Sequence, residues 1–537
     1  MHYVKVPGSY PGFLYSTGGG HGNLVWNLVI RLRNLKSDMS IFIRTLFLLG
    51  LFFTFSFSVT GRQKVYDFNP RCQQAYTAIM QLRLAAGTAL LEQEKKANPD
   101  NLIPYFLDNY TDFFLLFFNE DPNQYAKQKD LRAQRLALMA EGPANSPYYL
   151  YTQAVIKFQW GMVRVKFGEK WDAVWEIRKA YVTLKDNQKK FPQFIPNNMM
   201  VGAMQTVFGT IPEGYRWISN TLGLKGSIKE GMQQMQQAID GNTDVAVLFK
   251  PEAYYYYCYL KLFIENKPDE VWAFIQQHQL DTKNNYLFAL MVANLAMNNQ
   301  KAALGIKILT ERNDTAQYAD IPYLYYLLGE MKLSRQDEDA NIYLQRFLER
   351  FKGKFNVKEC LQRLSWYYFL HGDMVAANKY RSMILTRGNA EAESDKQALK
   401  DAKTGKWPDP ALLKARLLSD GGFFTEALKL LQVKKAADFN RMEDKLEYAY
   451  RLGRIYDEMD MDDNALIMYE VTVKTGAGRT EYFAARASLQ MGYIYEKRKE
   501  KAKALECYQA CLDMKEHDYK NSLDQRAKAG IQRVNGG

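Results

Sequence analysis

The chain has 537 residues and a formal net charge of +12. Its Lys and Arg residues are dispersed, and no dense basic block marks a nucleic-acid interface, so we expect no nucleic-acid partner. Five scattered cysteines, an odd number, imply no disulfide framework. Few prolines and long runs rich in Ala, Leu, Gln, Lys and Glu favour an all-α fold.

The first feature in chain order is an apolar segment with the pattern of a secretory signal peptide. Residues 40–44 carry one positive charge, residues 45–59 are uncharged and rich in Leu and Phe, and small residues precede Arg62. Met39 directly precedes this segment. We therefore interpret residues 39–61 as a signal peptide and expect an exported protein, placed in the periplasm of a Gram-negative envelope.

Two further interpretations of the apolar segment remain open. Residues 41–61 could stay in place as a membrane anchor facing the periplasm, because about 20 apolar residues span a bilayer, or they could form a buried helix. Residues 1–38 are Gly-rich and have no apolar period. We interpret them as an extension upstream of the true start or as a disordered tail.

Residues 62–140 predict a helical N-terminal cap. The stretch "YTAIMQLRLAAGTALLEQEKK" is amphipathic, and "YFLDNYTDFFLLFFNEDP" is very apolar. Asp108 and Asp112 interrupt the second stretch, which is too short to span a membrane. Because the ends of repeat arrays need covering, we expect these helices to cover the exposed face of the first repeat.

A repeat is clearest near the C-terminus. Gly453 is followed by Tyr456, Ala465 and Tyr469, at three, twelve and sixteen residues. The same spacing recurs 39 residues later, at Gly492, Tyr495, Ala504 and Tyr508. Small residues at these positions let two helices approach, and the aromatic residues fill the angle between them. Each copy therefore predicts a pair of antiparallel helices.

Fainter copies extend the pattern towards the N-terminus. The alanine that marks each second helix falls at positions 302, 340, 377, 427, 465 and 504. The one long interval contains a charged insertion, "TRGNAEAESDKQALKDAKTGKWPDP". We assign a repeat array to residues 246–515, divergent helical repeats to 141–245 and a C-terminal capping helix to 516–537.

This spacing resembles the tetratricopeptide repeat (TPR) family. The resemblance implies a right-handed superhelical solenoid that binds a protein or peptide along its concave face. Residues 207–239 also resemble, through a few Gly, Pro and Leu positions, a linker in the inclusion-body-clearance family of TPR proteins. The family's concave-face positions, carried over by spacing, give eight candidate partner-binding residues: Tyr325, Trp366, Phe369, Tyr450, Arg454, Asp457, Tyr493 and Lys497. Packing within a repeat is the alternative role for their aromatic members.

Signatures of catalysis are missing from the sequence. There is no Walker loop, HExxH or GxSxG motif, and His278, His371 and His517 lie far apart. We therefore predict a non-catalytic interaction scaffold without cofactor or metal. A membrane-tethered envelope assembly factor is the alternative, and an enzyme or lipid carrier built on helical repeats is a third possibility.

Overall fold

The structure, a computed structural model, describes residues 63–211 and 223–536. Apart from one bridge between Val65 and Asn101, these residues form helices joined by turns. The predicted signal peptide at 39–61 and the extension at 1–38 lie outside the described residues. None of the helices in the two described ranges combines the length and apolar character needed to cross a bilayer.

The N-terminal part of the described chain comprises eleven helices. They are α1 Pro70–Met80, α2 Leu84–Ala97, α3 Ile103–Asn119, α4 Pro122–Gln128, α5 Leu131–Met139, α6 Pro147–Lys166, α7 Lys170–Lys190, α8 Pro196–Phe208, α9 Ile228–Asp240, α10 Asp244–Phe263 and α11 Pro268–Gln277. Helices α6 and α7 pack as one pair and α8 and α9 as another, so the divergent repeats of the sequence are helix pairs too.

The C-terminal part carries the pairs with the clearer sequence pattern. Its helices are α12 Tyr286–Asn298, α13 Ala302–Glu311, α14 Pro322–Arg335, α15 Ala340–Arg350, α16 Val357–Leu370, α17 Met374–Thr386, α18 Glu393–Thr404, α19 Pro410–Gly421, α20 Phe424–Leu431, α21 Met442–Glu458, α22 Asp462–Gly476, α23 Phe483–Lys497, α24 Lys501–Asp513 and α25 Lys520–Val534. Every helix from α12 to α24 except α18 belongs to a pair, and α25 closes the array on α23 and α24. The all-α array of helix pairs is thus confirmed.

The marker positions of the repeat do the packing that their spacing predicts. All six marker alanines are buried. A Cβ atom on Gly453 would lie 2.6 Å from the ring of Tyr469, and one on Gly492 would collide with the ring of Tyr508. Both tyrosines are fully buried. The glycine therefore admits the aromatic side chain of the second helix.

The N-terminal helices reach further than a terminal cap requires. Helix α3 packs on α6, but α1 also contacts α10 and α3 also contacts α14. The backbone carbonyl of Gln81 accepts a hydrogen bond from Tyr286 N at 3.3 Å, and that of Leu82 accepts one from Ala319 N at 2.8 Å. These helices therefore join the first pairs to the middle of the array.

The charged insertion contains a helix that the sequence pattern did not reveal. Helix α18 lies on α16 and α17, where the next pair of a regular array would begin. Its Asp395 accepts hydrogen bonds from Asn356 N at 2.8 Å and Glu359 N at 3.0 Å, and so caps the N-terminus of α16. The following helix, α19, packs on α14 instead. The insertion therefore changes the direction in which the array continues.

We call helices α1 to α17 the first stretch and helices α19 to α25 the second stretch. Gly422 ends α19 at the point where the second stretch meets the first. Its φ is +84°, in the left-handed region that favours glycine, and a Cβ atom there would overlap the backbone carbonyl of Gln300. The Gln300 side-chain amide also donates to Ser419 O at 3.3 Å. Close backbone approach therefore places α19 against the turn that follows α12.

Candidate partner-binding face

The first helices of the C-terminal pairs form one continuous layer. Helices α19, α21, α23 and α25 pack side by side, and the second helices α20, α22 and α24 each contact the first helix that follows them. In a curved stack of pairs the layer whose members approach one another more closely is the inner one. We call this layer, made of α19, α21, α23 and α25, the inner face.

One inner-face carboxylate ties three helices together. Asp457 on α21 accepts a hydrogen bond from the Tyr469 hydroxyl on α22 at 3.0 Å and another from Gln490 Nε2 on α23 at 3.0 Å. Asp457 is almost completely buried. This candidate therefore holds its own pair together and joins that pair to the next one.

The next repeat contains the same arrangement. Glu496, four residues after Gly492 as Asp457 is after Gly453, accepts a hydrogen bond from the Tyr508 hydroxyl at 2.5 Å. It also forms a bidentate ion pair with Arg533 of α25, with both distances at 2.9 Å. An acidic residue four after the glycine and twelve before the tyrosine is therefore a sequence signal for this contact.

Two further candidates on α21 are engaged within the molecule. Tyr450 is buried and its ring lies 5.2 Å from that of Phe483. Arg454 pairs with Glu458 at 2.5 Å and lies 3.9 Å from Asp457. Burial opposes the charge of the Arg454 guanidinium, but Glu458 and Asp457, with Tyr469 and Tyr450, together outweigh burial and raise its pKa above the usual value. Arg454 is therefore a cation at the inner face whose position is fixed by ion pairs.

The candidates on α23 are more accessible. Tyr493 is half-buried, and the Arg533 guanidinium lies 5.8 Å from its ring centroid. Lys497 is exposed and reaches Asp460 at 3.1 Å and Asp462 at 3.3 Å. Because exposed ion pairs contribute at most about 1 kcal/mol, a partner could displace these contacts.

The three earlier candidates lie in different surroundings. Trp366 on α16 is buried, and Phe369 is stacked on Trp407 at 4.6 Å. Tyr325 on α14 is half-buried and lies against Arg346 and the second helix of its own pair, with a guanidinium-to-ring distance of 5.2 Å. Tyr325 is thus part of packing within a pair, and Phe369 is covered by the segment after α18.

A group of residues outside the candidate set lies where the two stretches of the array meet. We call it the arginine–tyrosine patch, and it comprises Arg416, Arg451, Tyr482 and Tyr519. The Arg416 guanidinium lies 5.2 Å from the ring centroid of Trp366. The ring of Tyr482 lies 5.2 Å from that of Tyr519. The patch therefore brings cations and aromatic rings from α19, α21 and the starts of α23 and α25 together.

The patch holds its positive charge across the physiological pH range. Arg451 is buried, and Glu447 at 2.7 Å raises the pKa of its guanidinium above the usual value although burial opposes this. Burial raises the pKa of Tyr482 to about 12, so its phenol stays neutral. Arg416, with Asp420 at 3.7 Å, remains half-buried. A half-buried guanidinium beside neutral tyrosines suits a carboxylate with adjacent apolar groups.

Helix α18 forms one edge of the patch. Its Gln397 accepts a hydrogen bond from the Tyr519 hydroxyl at 2.6 Å, and its Lys400 forms an ion pair with Asp518 at 2.6 Å. Tyr519 is exposed. The insertion helix therefore spans from the first stretch of the array to the last repeat.

Part of this patch could have been found by spacing. Arg416 follows Ala415 directly, as Arg454 follows Gly453, so the rule that selected Arg454 also selects Arg416. Tyr482 and Tyr519 stand at helix starts, outside the repeat pattern. The side-by-side packing of α19, α21, α23 and α25 brings them to the patch.

The described residues show no arrangement typical of a metal centre. Within residues 63–211 and 223–536, no group of three or more His, Cys, Asp or Glu side chains could hold a metal ion. His371 contacts Tyr367 O through Nδ1 at 2.7 Å, and His278 packs on the ring of Phe274 at 4.2 Å. These contacts are of the kind that holds a turn or a helix end.

The chain matches no protein-family model and no curated protein. It is similar to solved structures of helical proteins. The TPR domain of P58(IPK) is 12% identical, with 77% of this chain and 95% of that chain covered and a TM-score of 0.21. The APC/C hetero-tetramer Cut9–Hcn1 is 13% identical, with 88% and 93% covered and a TM-score of 0.30. Yeast Tom70 is 13% identical, with 86% and 96% covered and a TM-score of 0.22.

These scores describe loose overall matches. The TPR-like character of the repeats rests on the helix pairs and on the contacts of Gly453 with Tyr469 and of Gly492 with Tyr508. The resemblance of residues 207–239 to the inclusion-body-clearance linker stays a prediction, and residues 212–222 lie outside the described residues.

Proposed function

We propose that this protein is a non-catalytic scaffold that binds a protein or peptide partner along its inner face. The observation that carries the proposal is the arginine–tyrosine patch, where Arg416 and Tyr519 remain accessible beside packed aromatic rings. Tyr and Arg dominate the binding energy of many protein interfaces because they combine apolar area with directed hydrogen bonds. The inner face offers both in one place.

The predicted partner-binding residues enter this proposal with different roles. Lys497, Tyr493 and Arg454 continue the cationic and aromatic surface from the patch towards the C-terminal end of the inner face. Asp457 acts as a positioning residue because its carboxylate joins α21, α22 and α23. An extended acidic peptide with apolar residues fits this surface by charge and by ring contact.

Site-specific photo-crosslinking tests the proposal in the protein's own host. A photoreactive phenylalanine analogue replaces Tyr519 or Lys497, which are both exposed on the inner face. The control carries the analogue at Val375, which is 84% exposed on α17, a second helix. We expect the same partner to be captured from both inner positions and not from Val375. Equal capture from Val375 would contradict the proposal.

A charge change then measures the contribution of the patch. Arg416→Glu should weaken binding of the captured partner at least about tenfold, because it replaces attraction by repulsion at a half-buried position. Lys474→Glu makes the same charge change at an exposed position on α22 and serves as the matched control. If both variants bind the partner with wild-type affinity, the patch is not the binding surface.

Export to the periplasm is a separate part of the proposal, and the pattern of residues 39–61 supports it. Intact-mass measurement of the protein isolated from fractionated cells tests it. A periplasmic chain that begins near Arg62 would support a cleaved signal peptide and an exported scaffold. A membrane-bound chain that retains residues 41–61 would favour the tethered assembly factor instead.

A further inference from the structure

Helix α7 carries an exposed aromatic stripe on the side that faces away from its partner helix. Trp171 is 82% exposed and Trp175 is 47% exposed, and they are the two tryptophans of the exposed class among the described residues. Val174 and Val182 are also exposed. Positions 171, 175, 178 and 182 follow helical spacing, so they form one line about 16 Å long.

The opposite side of α7 makes the contacts that hold this helix in the fold. Ala173, Ala180 and Leu184 are buried, and Gly161 on α6 lets Ile177 approach, with a would-be Cβ contact of 2.8 Å. Glu176 is buried and paired with Arg132 of α5 at 2.5 Å. The helix is therefore held by its inner side, and the two tryptophans are not needed for that packing.

Basic side chains accompany the stripe. The Arg178 guanidinium lies 5.8 Å from the ring centroid of Trp175, and Lys179 beside it is exposed. The side chain of Lys189, near the end of the helix, is 77% exposed, and its contact with Asp186 is long, at 3.9 Å. Asp172 is the other exposed acid on the helix. Tryptophan flanked by lysine and arginine is the composition of helices that lie in the interface of an anionic membrane.

A second copy of the chain fits this stripe less well. In a two-fold symmetric contact the stripe would meet itself, which would place Arg178 and Lys179 close to their own copies. Repulsion between these like charges would oppose such a dimer. An anionic lipid surface instead attracts the cations while the tryptophan rings enter the headgroup region.

We propose that helix α7 docks this protein on the surface of an anionic lipid membrane through Trp171, Trp175, Arg178 and Lys179. This contact is independent of residues 41–61 and of the inner face. The helix lies parallel to the membrane, and the aromatic rings enter to the depth of the first acyl carbons.

Quenching of tryptophan fluorescence by brominated lipid tests the proposal with the full chain. The vesicles contain phosphatidylcholine with brominated acyl chains and about one-third phosphatidylglycerol. We expect quenching of the wild type and its loss in the double variant Trp171→Gln, Trp175→Gln. The matched control, Ile342→Gln with Ile467→Gln, removes exposed apolar side chains from α15 and α22 and should be quenched like the wild type.

The charge dependence is measured in the same assay. Lys179→Gln should raise the lipid concentration needed for half-maximal quenching about fivefold, the equivalent of ~1 kcal/mol for one cation near an anionic surface. Vesicles of brominated phosphatidylcholine alone should quench the wild type much less. Circular dichroism checks that each variant keeps its helical content.

Three outcomes would overturn the proposal. Quenching that is unchanged in the Trp171→Gln, Trp175→Gln variant would show that other tryptophans meet the lipid. Equal quenching by neutral vesicles would remove the role of the cations. A lipid-free dimer that becomes a monomer in the double variant, measured by light scattering, would assign the stripe to a second copy of the chain.

Discussion

The two stretches of this molecule bury their apolar side chains in different ways. One continuous cluster extends from Cys72 to Leu417 and joins helices that lie far apart in sequence. Between residues 412 and 534, apart from Leu413 and Leu417 of the first cluster, the clustered side chains form three small groups, each drawn from neighbouring helices. A nearest-neighbour array confines the effect of a change to adjacent repeats. The comparison therefore teaches that one helical chain can combine a cooperative body with a modular extension.

The hydrogen bonds of buried polar groups also differ in range between the two stretches. In the first, Glu252 on α10 accepts hydrogen bonds from Tyr76 on α1 at 2.7 Å and from Tyr110 on α3 at 3.1 Å. In the second, Asp457 and Glu496 connect helices no more than two positions apart in the chain. Long-range polar contacts therefore accompany the continuous core, and local ones accompany the modular array.

The largest effect is expected from Arg363→Met in the first stretch. Arg363 Nε lies 2.7 Å from Glu330, a second guanidinium nitrogen lies 3.0 Å from Glu359, and all three residues are buried. Removing the guanidinium leaves two buried carboxylates without this cationic partner and should lower the free energy of unfolding by about 3–5 kcal/mol. Urea denaturation at neutral pH measures the loss.

Arg350→Met is the matched control for that change. Arg350 pairs with Asp320 at 2.6 Å, but both side chains are about half exposed, so its loss should cost at most about 1 kcal/mol. Similar losses in the two variants would show that burial of the Arg363 cluster contributes little.

A pH dependence of stability should be specific to the first stretch. Burial raises the pKa of Glu252 from 4.5 to about 7, although three tyrosine hydroxyls oppose the rise. The folded protein therefore holds this proton at pH values where the unfolded chain releases it. The resulting stabilisation is complete below pH 4.5 and is lost as the pH rises through about 7, a change of about 3 kcal/mol.

Glu252→Gln tests this dependence, because glutamine keeps the shape and does not titrate. Burial also raises the pKa of Asp395 to about 7, and this carboxyl is present in both proteins. Urea midpoints measured at pH 5 and pH 8 should therefore differ less in the variant than in the wild type. An identical pH dependence in both would contradict the role assigned to Glu252.

A smaller and local effect is expected from Gly492→Ala in the second stretch. The added methyl group would collide with the ring of Tyr508, and overpacking of this kind costs about 1–3 kcal/mol. Hydrogen exchange should quicken in α23, α24 and α25 and stay unchanged in α1 to α10. Gly478→Ala is the control, because a Cβ atom there meets no atom within 4 Å. Faster exchange throughout the molecule would contradict the modular interpretation.

The smallest effect is expected where the two stretches touch. Tyr519→Phe removes the hydrogen bond to Gln397 and keeps the ring contact with Tyr482. This substitution should lower the free energy of unfolding by about 0.5–1 kcal/mol and should quicken hydrogen exchange in α18. Unchanged exchange in α18 would show that the hydrogen bond from Tyr519 to Gln397 does not hold the insertion helix in place.

The repeat could be predicted from particular residues. Gly453 with Tyr469, and Gly492 with Tyr508, meet as their spacing indicates, and the marker alanines are all buried. Helix α18 was not predicted, because the charged composition of its segment does not reveal which surface would cover it. Asp395 shows the reason: its carboxylate caps α16, a helix that begins 38 residues earlier.

The candidate site was predictable only in part. Arg454 and Asp457 lie on the inner face, but Asp457 is buried and joins three helices. Spacing alone cannot distinguish an exposed carboxylate from a buried one that links helices. The arginine–tyrosine patch depends on Tyr482 and Tyr519, which precede α23 and α25 and have no counterpart in the repeat period. The side-by-side packing of α19, α21, α23 and α25 brings them to Arg416 and Arg451.

The sequence by itself determined the helix pairs, because the 3.6-residue period and the small residues at close contacts act within about forty residues of chain. Tertiary structure alone decided how the two stretches meet, which carboxylates became buried and which rings stayed exposed. Those outcomes depend on packing between residues such as Gln300 and Gly422, or Tyr76 and Glu252. Such pairs are selected by shape and by the need to satisfy buried polar groups, and no local period in the sequence records them.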